Sequence, residues 1–233
     1  MLPKWPNGLF HRRMKAEILA VLNGKVGAFR GDDEPSAIDK RPVAGPVAIG
    51  ALGLAGDEQA DRVHHGGIDK AIHHYPADHY PFWREHLGDV PLLGGPGAFG
   101  ENISTAGLDE DSVFLGDRFR LGTALVEVSQ ARQPCWKLDH RFGVKGVMAR
   151  VVTTRRSGWY YRVLESGQVQ AGDGLILVER PYPEWSLSSL FALLIGGEAK
   201  SRPDDLRALE RVPVLAETWK VRRAKLAEQY GVT

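Results

Sequence analysis

Short apolar segments separated by glycine and proline make up most of the chain before residue 180. Such segments, bounded by turn residues such as Asn23-Gly24 and Gly116-Asp117, are typical of strands in a barrel or a sandwich. We therefore predict a mainly β fold with some α-helix. The predicted strands are Ile18–Leu22, Val47–Ile49, Ala71–Tyr75, Val113–Leu115, Asp117–Leu121, Ala124–Val128 and Leu175–Val178.

Two segments in the same part of the chain have the spacing of helices. Apolar positions repeat along Ala77–His86, where the Asp78 side chain is predicted to cap the first turn. A second helix is predicted from Val144 to about Arg156. The aromatic segment that follows, Gly158-Trp159-Tyr160-Tyr161, is interpreted as core packing.

The pattern changes after Pro181-Tyr182-Pro183. Ser186 is a predicted N-cap for the first of three short helices, and Gly231 ends the last. The predicted helices are Leu187–Ile195, Leu206–Arg211 and Val214–Tyr230. The sequence thus predicts a β-barrel or sandwich domain over residues 17–182 and a small three-helix module over residues 186–230.

Composition narrows the class of protein. Hydrophobic residues make up 43% and charged residues 25%, and the net charge of +1 gives no reason to expect a nucleic acid or an anionic membrane as partner. No apolar run approaches the roughly 18–20 residues that span a membrane. Residues 1–15 lack the apolar stretch of a secretory signal. The single cysteine, Cys135, cannot form an intramolecular disulfide, which is compatible with a cytoplasmic location.

Histidines are concentrated in one segment, since six of the eight lie between positions 64 and 86. Imidazole is a common zinc ligand, but neither HExxH nor CxxC occurs, so a zinc site is one of three interpretations. The others are structural histidines and a loop that binds an anion or a cofactor, with Gly66-Gly67 allowing close approach of the backbone. His73 and His74 would point to opposite faces of a strand, so at most one can join any single site.

Two further segments display polar groups. Phe99-Gly100-Glu101-Asn102 suits a loop that enters a strand. Glu101 is then either a general acid, if burial raises its pKa, or a solvated turn residue, and the local pattern favours the second. Ser36 and Lys40 lie in a polar, basic stretch that is consistent with phosphate binding or with a solvated loop.

Cys135 follows a predicted strand and comes directly after Pro134, which ends regular pairing. It is therefore expected at a strand end, where functional groups are commonly displayed. If Arg132 and Lys137 are also near it in space, their charges favour the thiolate, which is both a nucleophile and a ligand for soft metals. A basic environment also suits an anionic cofactor that carries phosphate.

In this order, the segments resemble the MOSC family, the molybdenum cofactor sulfurase C-terminal type of domain, and in particular its YiiM-like branch, which adds a C-terminal three-helix module. The resemblance spans about residues 17–230. It rests on Pro35–Ile38, Gly53–Gln59, His65-Gly66-Gly67, Asp69-Lys70-Ala71, His74-Tyr75-Pro76, Phe99–Ser104, Gly116–Phe119, Val128–Gln130, Arg132, Pro134-Cys135, Lys137-Leu138 and Gly158-Trp159. The paired histidines at 64–65 and 73–74 depart from the family pattern.

The resemblance implies a β-barrel that holds a molybdopterin-type molybdenum cofactor, with the Cys135 sulfur as the protein ligand of molybdenum. It also implies reduction of N-hydroxylated compounds such as hydroxylaminopurine bases, a detoxification reaction. Because the chain shows no flavin, haem or iron–sulfur motif, an external reductase must supply electrons. The implied catalytic residues are Cys135, Glu101 and His65, and the implied cofactor-binding residues are Cys135, Arg132, Lys137, Asn102, Asp69, Lys70, Ser36 and Lys40.

Three other functions stay open at the level of sequence. The chain could be a non-enzymatic carrier of the cofactor or of a Cys135 persulfide, a zinc-dependent hydrolase built on the histidine segment, or an interaction module with an inert cysteine. The sequence does not decide whether the protein is a homodimer.

Overall fold

The computed structural model describes residues 14–30, 34–60 and 66–232. Short 3-10 helices lie at Ile68–Lys70, Pro91–Gly94 and Glu198–Ser201. The strands are β1 (Lys15–Asn23), β2 (Gly27–Ala28), β3 (Pro35–Ser36), β4 (Arg41–Pro42), β5 (Val47–Gly50), β6 (Gly53–Leu54), β7 (Ile72–His74), β8 (Ile103–Thr105), β9 (Arg118–Leu121), β10 (Ala124–Ala131), β11 (Trp159–Glu165), β12 (Gly167–Val169) and β13 (Gly174–Glu179). The helices are α1 (His79–Leu87), α2 (Lys137–Phe142), α3 (Val147–Thr154), α4 (Leu187–Leu194), α5 (Pro203–Leu209) and α6 (Glu217–Tyr230).

Within the described ranges, seven strands close a barrel in the order β13-β9-β10-β11-β7-β8-β1, and β1 pairs again with β13. Neighbouring strands are antiparallel except for β7 and β8, which run parallel. Closure leaves no unpaired edge in the ring, which an open sheet would expose. The predicted β-barrel is confirmed.

Alternation along the strands explains which residues fill the barrel. In β1 the side chains of Ala16, Ile18 and Ala20 are buried, whereas Lys15, Glu17 and Leu19 between them are exposed. The same period of two places Phe119 and Leu121 of β9 in the core. Strand β10, with eight residues, is almost entirely buried because neighbours cover both of its faces.

Some strand predictions were wrong. Val113–Leu115 is buried but forms no strand, only a bridge between Phe114 and Ser186. The aromatic segment after Gly158 does supply core residues, Trp159 and Tyr161, but it does so as strand β11 between β10 and β7. Its short run of aromatic residues lacks the apolar–polar alternation that signals a strand.

The helix ends were predicted with mixed success. The Ser186 side chain accepts a hydrogen bond from the Ser189 N–H, as an N-cap should, and Gly231 ends α6 in the left-handed conformation. Asp78 occupies the N-cap position of α1, but its carboxylate instead accepts from the Gly107 N–H at 2.6 Å. The helix predicted from Val144 begins at Val147, because left-handed Gly146 precedes it.

The C-terminal helices pack directly on the barrel. Leu190 and Phe191 of α4 and Trp219 of α6 belong to the same hydrophobic cluster as Val126 and Val128 of β10. The predicted boundary between a barrel domain and a helical module, at residues 182–186, stays a prediction. In the structure the two parts share one hydrophobic core. None of the helices in the described ranges combines the length and the apolar character that a membrane span requires.

We expect Phe191→Ala to lower the free energy of unfolding by about 3–5 kcal/mol, because a fully buried ring at this shared core is lost. Denaturant unfolding followed by far-UV circular dichroism and by tryptophan fluorescence should give one transition that shifts as a whole. Val221→Ala, at a half-exposed position of α6, is the control and should stay within about 0.5 kcal/mol of wild type. Helices that melt before the barrel would contradict a shared core.

Candidate active-site cleft

A cleft lies where strands β7, β10 and β11 and the segment that leads into β8 meet the β2–β3 hairpin. Its wall brings together seven of the ten sequence-predicted site residues with others that were not predicted. It is lined by Ser36, Ala37, Ile38, Lys40, Asp57, Glu58, Gln59, Ala60, Lys70, Ala71, His73, Phe99, Gly100, Asn102, Arg132, Cys135, Lys137 and Tyr160.

Cys135 lies in this wall just beyond the end of β10, as predicted. Strand β10 ends at Ala131, and the chain then passes Pro134 before α2 begins at Lys137. The cysteine is partly buried and is not in a disulfide. A thiol at this position is chemically suited to ligate a soft metal in the cleft.

Cations outnumber carboxylates in the wall by two. Lys137 Nζ lies 3.4 Å from the Pro35 carbonyl oxygen, and Arg132 is 95% buried with its Nη1 lacking a hydrogen-bond partner. A buried guanidinium N–H without an acceptor is costly, and an anionic ligand would reduce that cost. The cleft therefore suits a negatively charged molecule.

A buried ion pair between Lys40 and Asp57 supports one side of the cleft. Burial lowers the pKa of Lys40 below its ordinary 10.5, although the Asp57 carboxylate favours the charged form. Asp57 also accepts from the Gly24 N–H at 2.8 Å and from Asn102 Nδ2 at 2.9 Å. Asp57 was missed in the sequence, where it sits in a motif, Gly53–Gln59, that was cited only for its resemblance.

Asn102 lines the cleft, but its amide is fully engaged by the protein. Nδ2 donates to the Leu22 carbonyl at 3.1 Å as well as to Asp57, and Oδ1 accepts from the His73 N–H at 3.0 Å. These bonds tie β1, β7 and the Lys40–Asp57 pair together. The geometry therefore favours a supporting role for Asn102 over direct binding.

His73 and Tyr160 face each other across β7 and β11 and share one face of the barrel wall, with ring centroids 5.0 Å apart. Burial, followed by the charge of Arg132, lowers the pKa of His73 well below its ordinary 6.5, so the ring is neutral. Burial raises the pKa of Tyr160, with Arg132 opposing and Cys135 adding to the effect. The alternation of side chains along a strand predicted that at most one of His73 and His74 could join the site. It did not indicate which of the two.

Two predicted residues are not in the wall. Glu101 is fully buried, which excludes a solvated turn residue, but its carboxylate accepts from Tyr80 Oη at 2.5 Å and from the N–H groups of Gly97 and Phe99. Burial raises its pKa against these hydrogen bonds. Its role here is to hold the loop in front of β8. Asp69 points away from the cleft, toward Arg162 and α6, and His65 lies outside the described residues.

The zinc interpretation gains no support from the part of the chain that the structure describes, where no three His, Cys, Asp or Glu side chains form a metal-binding group. His74 points into the barrel, where Tyr161 Oη and Thr105 Oγ1 bind its two ring nitrogens at 3.0 and 2.9 Å. His79 pairs with Glu110 at 2.8 Å. His64 and His65 lie outside the described ranges.

Known proteins share both the sequence and the fold. The family model of the MOSC domain matches residues 61–175. Protein YiiM of Escherichia coli is 45% identical over 161 residues, which cover 69% of this chain and 71% of that protein. A protein of Gibberella moniliformis named "Reductase" is 43% identical over 173 residues, covering 73% of this chain but only 30% of that longer protein.

The crystal structure of YiiM from Geobacillus stearothermophilus superposes with a TM-score of 0.76 at 34% identity. The match covers 91% of this chain and 98% of that one, so the similarity includes the C-terminal helices as well as the barrel.

Lys40→Met should lower the free energy of unfolding by about 3–5 kcal/mol, because it leaves the buried Asp57 carboxylate without its cation. Lys40→Met/Asp57→Leu should recover part of this loss. The control is Lys25→Met at the exposed pair with Glu58, which should cost under about 1 kcal/mol. Equal losses for the two single variants, measured by urea denaturation, would contradict a structural role for the buried pair.

Stability should fall as the pH drops from about 6.5 toward about 3. Burial lowers the pKa of His74 from 6.5 to about 3, so between these values the unfolded chain takes up a proton that the folded barrel excludes. This stability is fully present above pH 6.5, and its loss can reach about 1.4 kcal/mol per pH unit. His74→Gln should reduce the slope of unfolding free energy against pH in this window by about one proton. An unchanged slope would rule out a neutral His74 in the folded protein.

Proposed function

This chain belongs to the MOSC domain family, among relatives that include YiiM, and from that premise we propose that it is a molybdenum-cofactor enzyme that reduces N-hydroxylated compounds. The observation that carries the proposal is the placement of the Cys135 thiol in one cleft with Arg132, Lys137, Lys70 and Lys40. A relative named "Reductase" supports a reductive reaction. A chain of this kind is an oxidoreductase whose protein ligand to the metal is Cys135.

The residues present fit such a cofactor. A thiolate is a suitable ligand for a soft or borderline metal centre, and the cationic wall suits the phosphate that a molybdopterin-type cofactor carries. The unpartnered Nη1 of Arg132 is a specific donor for such an anion. Arg132, Lys137 and Lys70 would hold the anionic part, while Ser36 is a neutral member of the same wall.

When bound, the cofactor would supply the two-electron chemistry that the protein side chains lack. The net change converts the N–OH of the substrate to N–H and water, which consumes two electrons and two protons. Lys40 lines the cleft, and its lowered pKa makes it the proton donor that we favour, with Asp57 holding its Nζ. Neutral His73 is suited to accept hydrogen bonds rather than to donate a proton at neutral pH.

The electrons must come from an external reductase. The basic face of α6 is a poor docking site for it, because two of its arginines are engaged within the module itself. Arg222 Nε donates to the Leu194 carbonyl, and Arg223 pairs with Glu210 at 2.9 Å. The cleft mouth at Lys137, next to the exposed Trp136 in sequence, is the surface that we favour for the electron donor.

Molybdenum and zinc content per chain, after expression in a cofactor-competent host, tests the proposal. We expect about one molybdenum per chain in the wild type and in the control Ala149→Ser, at an exposed position of α3, and less than about a tenth of that in Cys135→Ser. Reduction of an N-hydroxylated purine by a chemical reductant should follow the molybdenum content. Molybdenum without turnover would indicate a carrier. Zinc in place of molybdenum, bound regardless of Cys135, would overturn the proposal.

A further inference from the structure

The first turn of α6 contacts two segments that build the cleft. The Glu217 N–H donates to Asp69 Oδ2 at 3.1 Å. The Ala216 N–H donates to the Ser129 carbonyl at 3.1 Å, and Thr218 Oγ1 donates to Gln130 Oε1 at 3.2 Å. The C-terminal module is therefore joined to the 3-10 turn Ile68–Lys70 and to the end of β10.

Asp69 is the centre of this junction. Helix α6 has no capping side chain of its own, and the Asp69 carboxylate takes that place from another part of the chain. A carboxylate at a helix N-terminus is favoured both by the exposed N–H groups and by the helix dipole. Its other oxygen pairs with Arg162 at 2.8 Å, and Arg162 continues to Glu127 of β10 at 2.9 Å.

The backbone at Asp69 is fixed as well. Its carbonyl oxygen accepts a hydrogen bond from Ser129 Oγ at 2.5 Å, which fixes the position of the 3-10 turn against β10. Lys70, the next residue, lines the cleft. Beyond Ser129 the chain continues to Arg132 and Cys135, which both line the cleft.

We propose that the first turn of α6 is a positioning element of the cleft and that Asp69 is the positioning residue through which it acts on Lys70. The C-terminal module is then part of the anion-binding site without touching the ligand. That this ligand is the molybdenum cofactor rests on the function proposed above. The coupling between Asp69 and Lys70 does not.

The test uses inorganic pyrophosphate as an anionic probe and the full-length chain in cofactor-free form. Its Kd is measured by isothermal titration calorimetry for wild type, Asp69→Ala, Lys70→Met and the double variant. Asp69→Ala should raise the Kd about five- to tenfold when Lys70 is present and less than about twofold in the Lys70→Met background, since its effect passes through Lys70.

Asp205→Ala is the matched control, because Asp205 lies in the first turn of α5 in the same module and pairs with Arg202 at 2.6 Å without contacting the cleft. It should lower the melting temperature without changing the Kd. Asp69→Asn keeps an acceptor for the Glu217 N–H and should restore the Kd to within about threefold of wild type. If Asp69→Ala does not fold, Thr218→Ala removes one contact of the same turn and should raise the Kd about two- to threefold.

A Kd unchanged in Asp69→Ala, or raised equally in both Lys70 backgrounds, would overturn the proposal, and so would a wild type that does not bind pyrophosphate. Molybdenum content, measured separately on chains from a cofactor-competent host, keeps the two proposals apart. Chains without molybdenum that still show the Asp69–Lys70 coupling would refute the proposed function and support this inference.

Discussion

Strand β1 closes the barrel whose wall carries the cleft, and its Leu22 carbonyl also holds the cleft residue Asn102. Its first residues pair with β13 and its later residues with β8, so one strand joins the two ends of the sheet. Within the pairing with β8, the register shifts between Ile18 and Ala20. Strands β10, β11 and β7 are direct neighbours in the ring, so their ends meet although they are distant in sequence. Cys135, His73 and Tyr160 share a wall because β11 pairs with both β10 and β7.

Inside that frame, polar groups are arranged in two opposite ways. On one side, the polar atoms of Asn102 and Asp57 form hydrogen bonds within the protein. These bonds fix the strands, and they leave these two side chains in a supporting role. On the other side, the buried Arg132 retains a donor without a partner in the protein. Fully satisfied networks give rigidity, whereas an unsatisfied buried donor marks a place where the protein gains by binding. By this difference, Asn102 and Asp57 support the cleft, whereas Arg132 belongs to its binding surface.

Sequence patterns predicted a barrel or a sandwich, the terminal helices and the strand end at Cys135, because each depends on local spacing or on a turn residue. The resemblance to the MOSC family decided for the barrel. The patterns could not place side chains that share a segment with the cleft but point elsewhere. Asp69 and Lys70 are neighbours in sequence, yet only Lys70 reaches the wall, because Asp69 meets a helix some 150 residues later. Glu101 holds a loop instead of lining the cleft, and Asp57, to which no role was assigned, lines it. The reason is the same: burial and partners are set by distant residues.

The parallel pairing of β7 and β8 requires a long crossover, and that crossover builds a second hydrophobic cluster apart from the barrel core. Tyr75, Trp83 and Phe99 from the crossover pack there with Phe142 of α2 and Val151 of α3, the helices that follow Cys135. The cysteine segment is thus fastened to a small core of its own. Because this core is separate from the barrel core, the segment that carries Cys135 can open locally while the barrel stays folded.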